Sequence, residues 1–325
     1  MIAIDRKAVA GVPVQCAEFV PLPLGGEVSI MTSECQPISA MLTAIEGDAP
    51  DLTQNFRGQM IDRARFDASL VTRAQEAGAD CRFATALTAL SQDGIATLAN
   101  GGAIAAHMII GADGPRSRVG KAIGRVNSEL VETRQMTVPL MIAHDATDIF
   151  LSAGLPGGYA WLFPKGDIAN LGLGVAPQHR KQLKPLLESL RQRLIAEGRI
   201  GARVLGHTGG PIPVGGMLEP FTTRGERMVL LTGDAAGLAN PITGAGIPAA
   251  VISGRMAGET ALPWLSGNRN AGANYAEELK EYFGASLARA LARRRELLAK
   301  FKGEAAPSKA DLRRGWIAYP QYWAA

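Results

Sequence analysis

One stretch in the second half of the chain constrains the fold most: residues 228–261 read MVLLTGDAAGLANPITGAGIPAAVISGRMAGETA. Four consecutive apolar residues, Met228 to Leu231, predict a buried strand because turn signals follow them at once. Gly233 and Asp234 then stand at the carboxyl end of that strand, the edge where open α/β sheets bind ligands. The stretch therefore predicts an α/β ligand site.

A helix is predicted from about residue 245 to residue 261. Gly244 and Gly246 leave the backbone bare at its start, so a flat ligand can approach the helix N–H groups. A helix start favours negative charge by roughly 0.3–2 kcal/mol, and a reduced flavin carries such charge at its pyrimidine edge. The short carboxylate of Asp234 can accept hydrogen bonds from a polyol. The alternative is an ordinary strand, turn and helix whose glycines serve close packing.

The segment GDAAGLANPITGAGIPAAVISGRMAGE resembles the second flavin-binding motif of the geranylgeranyl reductase family. That family lies within a wider class of flavoproteins that includes aromatic hydroxylases. The resemblance implies FAD as the cofactor, with Asp234 at its ribityl chain. The other cofactor-binding residues that it implies here are Gly233, Pro241, Gly244, Gly246 and Ile247.

A second turn stands earlier in the chain, in AHMIIGADGPRSRV. His107 to Ile110 predict a strand, and Gly111, Asp113 and Gly114 form its carboxyl-end turn. GADGxxSxV is similar to the other signature of this flavoprotein class, in which the Asp contacts the flavin and the entry route for nicotinamide. Alone this turn is a weak indication of flavin binding. It is a strong indication when the Asp234 motif follows it in the chain, as it does here.

Two further cofactor-binding residues come from resemblance. Apolar residues at helical spacing predict a helix that Gly78 ends, and its R-x-x-F-D-x-x-L pattern, beginning at Arg63, resembles a helix whose arginine lies close to the cofactor. Asp5 follows a short apolar strand, where a Rossmann-type unit places the acid that binds the adenosine ribose. No GxGxxG turn occurs in the sequence, so we expect a truncated chain, a misassigned start or a lost first βα unit.

The segment GVPVQCAEF supplies a candidate catalytic residue. Cys16 and Glu18 resemble the Cys-Gly-Glu element that many family members carry near flavin and substrate. The alternative for Cys16 is a packed thiol.

An aromatic strand marks the candidate substrate site. Tyr159, Trp161 and Phe163 alternate along it and therefore share one face, and with their flanking prolines they fit the P-x-x-Y-x-W-x-F-P motif of the reductase family. The plain alternative is an aromatic ladder in the core. Because aromatic residues make up only 6% of the chain, three on one face favour the lining of a cavity for an apolar ligand. Tyr159 is also a candidate proton donor.

The whole chain predicts an α/β protein (α+β overall): a Rossmann-like FAD-binding domain, an inserted antiparallel-sheet substrate domain and C-terminal helices. The 325 residues divide as 1–130 with 210–265 for the cofactor domain, 131–209 for the substrate domain and 266–325 for the helical segment. The three cysteines form no CxxC pair, and the four histidines lack metal-ligand spacing, so no metal is expected. Neither a signal peptide nor a spanning stretch is visible, which predicts a cytoplasmic protein, and no motif indicates nucleic acid.

The last predicted helix, from about residue 274 to residue 302, is basic. From Ala271 onward ten Lys and Arg stand against six Asp and Glu, and this excess of four equals the net charge of the chain, +4. A basic amphipathic helix can lie on an anionic membrane. The alternative is a helix that docks on the protein and solvates its charged face.

The leading functional hypothesis is an FAD-dependent reductase that saturates C=C bonds of an isoprenoid chain in a prenyl lipid. Its electron donor would be NAD(P)H, ferredoxin or a deazaflavin. The alternatives are an FAD-dependent monooxygenase or halogenase of the same fold, and a non-catalytic truncated homologue.

Overall fold

The computed structural model describes residues 1–22, 34–303 and 306–324. These residues form two compact units, each assembled from three stretches of the chain. The first unit comprises Met1–Val12, Ala64–Glu129 and Pro213–Arg289. The second unit comprises Pro13–Arg63, Leu130–Ile212 and Ala290–Ala325.

The first unit contains small sheets and five helices within its described residues. Its strands are β1 (Ile2–Ile4), β5 (Asp80–Arg82), β6 (Leu87–Leu90), β7 (Ile95–Leu98), β8 (Ala103–Ala105), β9 (Met108–Gly111), β16 (Phe221–Arg224) and β17 (Arg227–Leu231). Its helices are α1 (Arg63–Glu76, from Ala64 on), α2 (Arg118–Ala122), α4 (Ile247–Glu259), α5 (Ala261–Leu265) and α6 (Ala271–Phe301, as far as Arg289).

The core of the first unit forms around β17. The side chains of Met228 to Leu231 are fully buried, as the apolar run predicts, and β17 pairs in parallel with β9 and antiparallel with β16. The hydroxyl of Tyr275, on α6, donates to the Leu231 carbonyl at 2.8 Å. The predicted strand is confirmed, and the helix after it begins at Ile247, two residues later than expected.

The second unit is built on a nine-stranded sheet. Its strands are β2 (Phe19–Pro21), β3 (Glu34–Ile45), β4 (Asp51–Ile61), β10 (Leu130–Pro139), β11 (Ala146–Leu151), β12 (Ala160–Lys165), β13 (Ile168–Val175), β14 (Gly206–Thr208) and β15 (Pro211–Pro213). The strand order is β14-β10-β13-β12-β11-β3-β4-β2, and β15 also pairs with β10. Helices α3 (Leu183–Ala196), α7 (Lys309–Arg314) and α8 (Pro320–Trp323) belong to this unit.

One face of this sheet packs on α3. Alternate residues of β12 and β13, including Leu162 and Leu171, are fully buried there, and Leu187 and Leu194 of α3 join the same cluster. A 3-10 helix, Pro177–Gln182, leads directly into α3. The opposite face is therefore left for the polar and aromatic side chains at alternating positions.

The sheet differs from the expected antiparallel insert in extent and direction. Residues 34–61 supply β3 and β4, and β3 pairs in parallel with β11 over Ala40↔Ala146 to Ile45↔Leu151. The sequence assigns residues 13–63 to the cofactor domain, whereas the described residues of this range belong to the second unit. The 266–325 segment also divides, at Arg289. Pairing between strands about a hundred residues apart leaves no local pattern.

A buried acid on β11 gives the second unit a pH-dependent contact. Asp148 accepts from the Arg199 guanidinium at 2.7 Å and lies 2.7 Å from Nε2 of His144. Nδ1 of His144 faces the Ile142 carbonyl at 3.1 Å. Both ring nitrogens thus face acceptors, which the imidazolium form satisfies. The hydrogen bond to Asp148 raises the pKa of His144 above its ordinary 6.5.

This contact predicts that stability falls as pH rises. A folded pKa raised above the unfolded value means that the stabilisation is fully present below about pH 6.5 and is lost as pH rises through the folded pKa. The free energy of unfolding in urea, measured from pH 6 to 8.5, should fall more steeply for the wild type than for His144→Gln. Parallel curves for the two proteins would contradict this prediction.

Candidate functional site

The two glycine-aspartate turns lie side by side at one edge of the sheet formed by β16, β17 and β9. Leu231 is the register partner of Gly111, and the Thr232 N–H donates to the Gly111 carbonyl at 3.0 Å. Gly233 follows with φ of +51°, a conformation that favours glycine. The structure therefore brings Gly111 and Gly233 together at the strand ends, where the sequence analysis expects a ligand.

Asp113 shapes the first turn. Its exposed carboxylate accepts from the backbone N–H groups of Arg118 at 2.6 Å and Val119 at 3.2 Å, and also from the Ser117 hydroxyl. Gly114 has φ of +80°. The carboxylate thus holds the chain that enters α2, and a flavin contact by Asp113 stays a prediction.

An asparagine that the sequence analysis missed links the two turns. Nδ2 of Asn127 donates to the Asp234 carbonyl at 2.9 Å and to the Pro115 carbonyl at 3.1 Å. Its Oδ1 is buried and has no hydrogen-bond partner among the described residues. Because Asn127 lies in an ordinary polar stretch, nothing in the local sequence indicates this role.

The Asp234 side chain meets the start of α4. A β-carbon added to Gly246 would lie 3.1 Å from Oδ1 of Asp234, so the half-buried carboxylate rests against a bare Cα. Gly246 is the N-cap residue, and no side chain caps the helix. Gly244 has φ of +69°, and Oδ1 of Asn240 accepts two N–H groups that shape the turn before it.

These residues fit the flavin end of FAD. The Asp234 carboxylate offers acceptors for ribityl hydroxyls, and the uncapped start of α4 offers backbone donors to an electron-rich ring edge. Buried Pro241 and Ile247 bound the turn. At the adenosine end, Asp5 follows β1, and its exposed carboxylate accepts from the Lys7 N–H at 2.9 Å. Its predicted contact with the ribose stays a prediction.

The second unit carries the aromatic face. The ring centroids of Tyr159 and Trp161 lie 5.6 Å apart, and those of Trp161 and Phe163 lie 6.3 Å apart, so the shared face predicted for them is confirmed. Trp316 extends the row, with its ring 4.8 Å from that of Tyr159. At the other end Phe163 meets Phe19 at 5.8 Å. The row joins one strand to two distant segments of the chain.

The indole ring of Trp161 lies flat on β13. A β-carbon at Gly172, its register partner, would lie 2.4 Å from Cζ2 of Trp161. The Nε1–H of Trp161 donates to Oε1 of Gln135 at 3.1 Å. The bare strand thus makes room for the ring, and the amide fixes its orientation.

This contact predicts a specific effect of a β-carbon. Gly172→Ala should lower the free energy of unfolding by about 1–3 kcal/mol, because overpacking forces a buried ring to shift. Gly206→Ala is the matched control, since a β-carbon there meets nothing within 4 Å. Equal urea midpoints for the two variants would show that the sheet absorbs the added carbon.

Cys16 lies across the same face of the sheet. Nε2 of Gln135 donates to the Cys16 carbonyl at 3.0 Å, so one amide contacts both the thiol-bearing residue and Trp161. Burial raises the pKa of the Cys16 thiol, and the adjacent Arg63 guanidinium opposes that rise. Burial likewise raises the pKa of the Tyr159 hydroxyl. Both groups are therefore protonated at neutral pH.

The structure brings Arg63 and Cys16 together, a pairing that the sequence analysis did not foresee. The sequence does not indicate that Glu18, Gln135 and Asn170 hold the Cys16 segment. Within the described ranges, no cluster of three or more His, Cys, Asp or Glu has the arrangement of a metal site. None of the described helices combines the length and apolarity that crossing a bilayer needs.

Comparison with known proteins gives a consistent result. The geranylgeranyl reductase catalytic domain model matches residues 130–210, and an FAD binding domain model matches residues 33–159. The chain is 33% identical over 314 residues to the digeranylgeranylglycerophospholipid reductase of Methanocella arvoryzae, covering 88% of this chain and 78% of that protein. A second relative, digeranylgeranylglycerophospholipid reductase 2 of Methanopyrus kandleri, is also 33% identical, over 90% of this chain and 78% of its own.

A solved structure shares the fold. The geranylgeranyl bacteriochlorophyll reductase-like protein of Thermoplasma acidophilum superimposes with a TM-score of 0.82 at 23% identity, covering 98% of this chain and 90% of that one. This likeness confirms the predicted fold class.

Proposed function

This chain belongs to the geranylgeranyl reductase family of FAD-dependent oxidoreductases, and we propose that it reduces C=C bonds of the isoprenoid chain in a prenyl lipid. The observation that supports the substrate class is the aromatic row of the second unit. Its member Tyr159 is half-buried, and an apolar chain is the ligand that an aromatic surface prefers.

The cofactor would be held by residues of the first unit. Asp234 would accept from the ribityl chain, and the turn of Gly244, Gly246 and Ile247 would lie against the ring system. When bound, FAD supplies the hydride chemistry that the reduction needs. The start of α4 would stabilise negative charge at the ring edge, because its first N–H groups have no side-chain cap.

The protein's own part is to position the substrate, exclude water and deliver a proton. Reduction of a C=C bond consumes one hydride and one proton, and the proton needs a protonated donor at the substrate. Cys16 and Tyr159 are the two candidates, since burial keeps both protonated at neutral pH. The electron donor would be NAD(P)H or another reduced carrier.

Contact with a membrane would depend on exposed charges of α6. Its apolar residues Leu287 and Ala290 are buried in the protein, as are Arg293 and Arg294. Arg289, Arg295 and Lys300 are exposed cations of α6, and their charges would attract anionic lipid headgroups. This arrangement supports electrostatic attraction to a surface rather than insertion of the helix.

Product analysis tests the proposal. The purified chain is incubated with FAD and desalted, and its visible spectrum is recorded. It is then reduced anaerobically with dithionite and given a digeranylgeranylglycerophospholipid. We expect retained flavin bands and a product heavier by two hydrogens for each bond reduced. Incorporation of oxygen or halide would indicate the monooxygenase or halogenase alternative, and a colourless protein would indicate a non-catalytic homologue.

A further inference from the structure

The segment that carries Cys16 is held across the aromatic face by three side chains of the sheet. Nε2 of Gln135 donates to the Cys16 carbonyl at 3.0 Å, and Nδ2 of Asn170 donates to the Ala17 carbonyl at 3.2 Å. Lys165 reaches the next residue, Glu18, with 2.8 Å between Nζ and Oε2. Residues 16–18 therefore have a fixed path on the second unit.

Glu18 is the most constrained residue of this segment. It is 7% exposed, and its φ of +67° is a left-handed conformation that a non-glycine residue adopts at an energetic cost. In this conformation its N–H donates to Sγ of Cys16 at 3.2 Å, and its carbonyl accepts from the Ile61 N–H at 2.9 Å. The position of the sulfur is thus coupled directly to the backbone of Glu18.

Both oxygens of the Glu18 carboxylate accept hydrogen bonds. Oε2 accepts from Lys165 and also from Nδ2 of Asn170 at 3.0 Å, and Oε1 accepts from the Arg63 N–H at 3.0 Å. Arg63 in turn places its guanidinium beside the Cys16 thiol. One buried carboxylate therefore holds both the residue that bears the thiol and the cation next to it.

We propose that Glu18 is a positioning residue that fixes the Cys16 thiol, together with Arg63, at the aromatic face. The proposal rests on the proposed function, in which Cys16 is a candidate proton donor to the substrate. Nothing in the arrangement requires Glu18 to touch the substrate or the cofactor. Its carboxylate acts by holding the backbone of residues 16–18 in a conformation that the backbone alone disfavours.

The first test is the alkylation rate of each cysteine. The protein is treated with iodoacetamide over a range of pH, and modification at Cys16, Cys35 and Cys81 is followed by peptide mass spectrometry. In Glu18→Gln the segment that carries Cys16 is released and becomes more accessible to the reagent, and the negative charge that disfavours the thiolate is lost. We expect Cys16 to react about tenfold faster at neutral pH, as one unit of pKa implies, while Cys35 and Cys81 react at unchanged rates.

Matched variants separate positioning from general loosening. Glu18→Gln leaves Lys165 buried without its carboxylate, so the double variant E18Q/K165M, which removes both charges, should show the same change at Cys16 if the single variant fails to fold. Asp48→Asn removes an acid from the exposed ion pair with Lys309 and should leave all three rates unchanged. An unchanged Cys16 rate in folded E18Q or E18Q/K165M would overturn the proposal, and so would a parallel rise at Cys81.

The reductase assay gives an independent reading. For a positioning role, kcat for the prenyl lipid should fall in E18Q while KM stays close to the wild-type value, because the substrate still meets the aromatic row. Alkylation reports on the thiol even if no lipid is reduced. A failed reductase assay with the expected alkylation change would thus count against the proposed function and not against the role of Glu18.

Discussion

Replacement of Asp234 by asparagine should raise the Kd for FAD by about 10- to 100-fold, because a hydrogen bond to a charged group contributes about 1.5–3 kcal/mol. Asparagine keeps the shape of the side chain against Gly246, so the loss reports the charge rather than the packing. Titration of the apoprotein with FAD, followed by flavin fluorescence, measures the change. Asp93→Asn alters an exposed acid of the same unit and should bind FAD as the wild type does.

A substitution at Gly246 tests the same FAD contact in a second way. A β-carbon there would lie 3.1 Å from the Asp234 carboxylate, so Gly246→Ala should crowd that oxygen and also weaken FAD binding. Gly254→Ala, in the same helix, places its β-carbon in open space and should bind FAD normally. Unaltered affinity in both Asp234→Asn and Gly246→Ala would show that the flavin does not lie at this turn.

The sequence predicts this turn well because its determinants are local. The apolar run Met228–Leu231 forces a buried strand, and the glycines that follow permit backbone conformations closed to other residues. Asp234 and Gly246 are twelve positions apart, and one strand, turn and helix bring them together. The pairing of β17 with β9 then places the Gly111 turn beside Gly233.

The sequence predicts less of the second unit because the contacts of that unit are not local. Gln135, Asn170 and Lys165 each look like an ordinary polar residue on a strand. They share a face with Trp161 and Phe163 only because of register: Gln135, Gly172 and Trp161 form one row across three strands. A shift of one residue in either pairing would turn those side chains to the opposite face.

The conformation of Glu18 also lies outside what a sequence pattern can show. A glutamate at φ of +67° follows no local preference, and tertiary contacts stabilise it. The resemblance to a Cys-Gly-Glu element pointed to the segment, but this chain has alanine at position 17. The partners of Glu18 come from three other strands or their ends. They lie far from Glu18 in the sequence and meet it only in the folded protein.

Trp161→Ala should lower the free energy of unfolding by about 3–5 kcal/mol, the cost of removing a large buried aromatic side chain. The indole is 6% exposed, contacts Tyr159 and Phe163, and donates to Gln135, whose amide oxygen would lose its partner. Urea unfolding of the second unit measures the change. Trp323→Ala removes an indole that is 57% exposed and should cost far less.

A second substitution at Trp161 distinguishes two roles of the aromatic row, a ladder within the core and a surface that contacts the substrate. Trp161→Phe keeps a six-membered aromatic ring but loses the five-membered ring with its N–H, so it should cost less stability than Trp161→Ala. If the ring lines the substrate site, this variant should raise KM for a prenyl lipid, because the smaller ring covers less of the apolar chain. If the ring serves the core alone, KM should equal that of the wild type while stability still falls. Stability and KM thus move together only when Trp161 both supports the sheet and contacts the lipid.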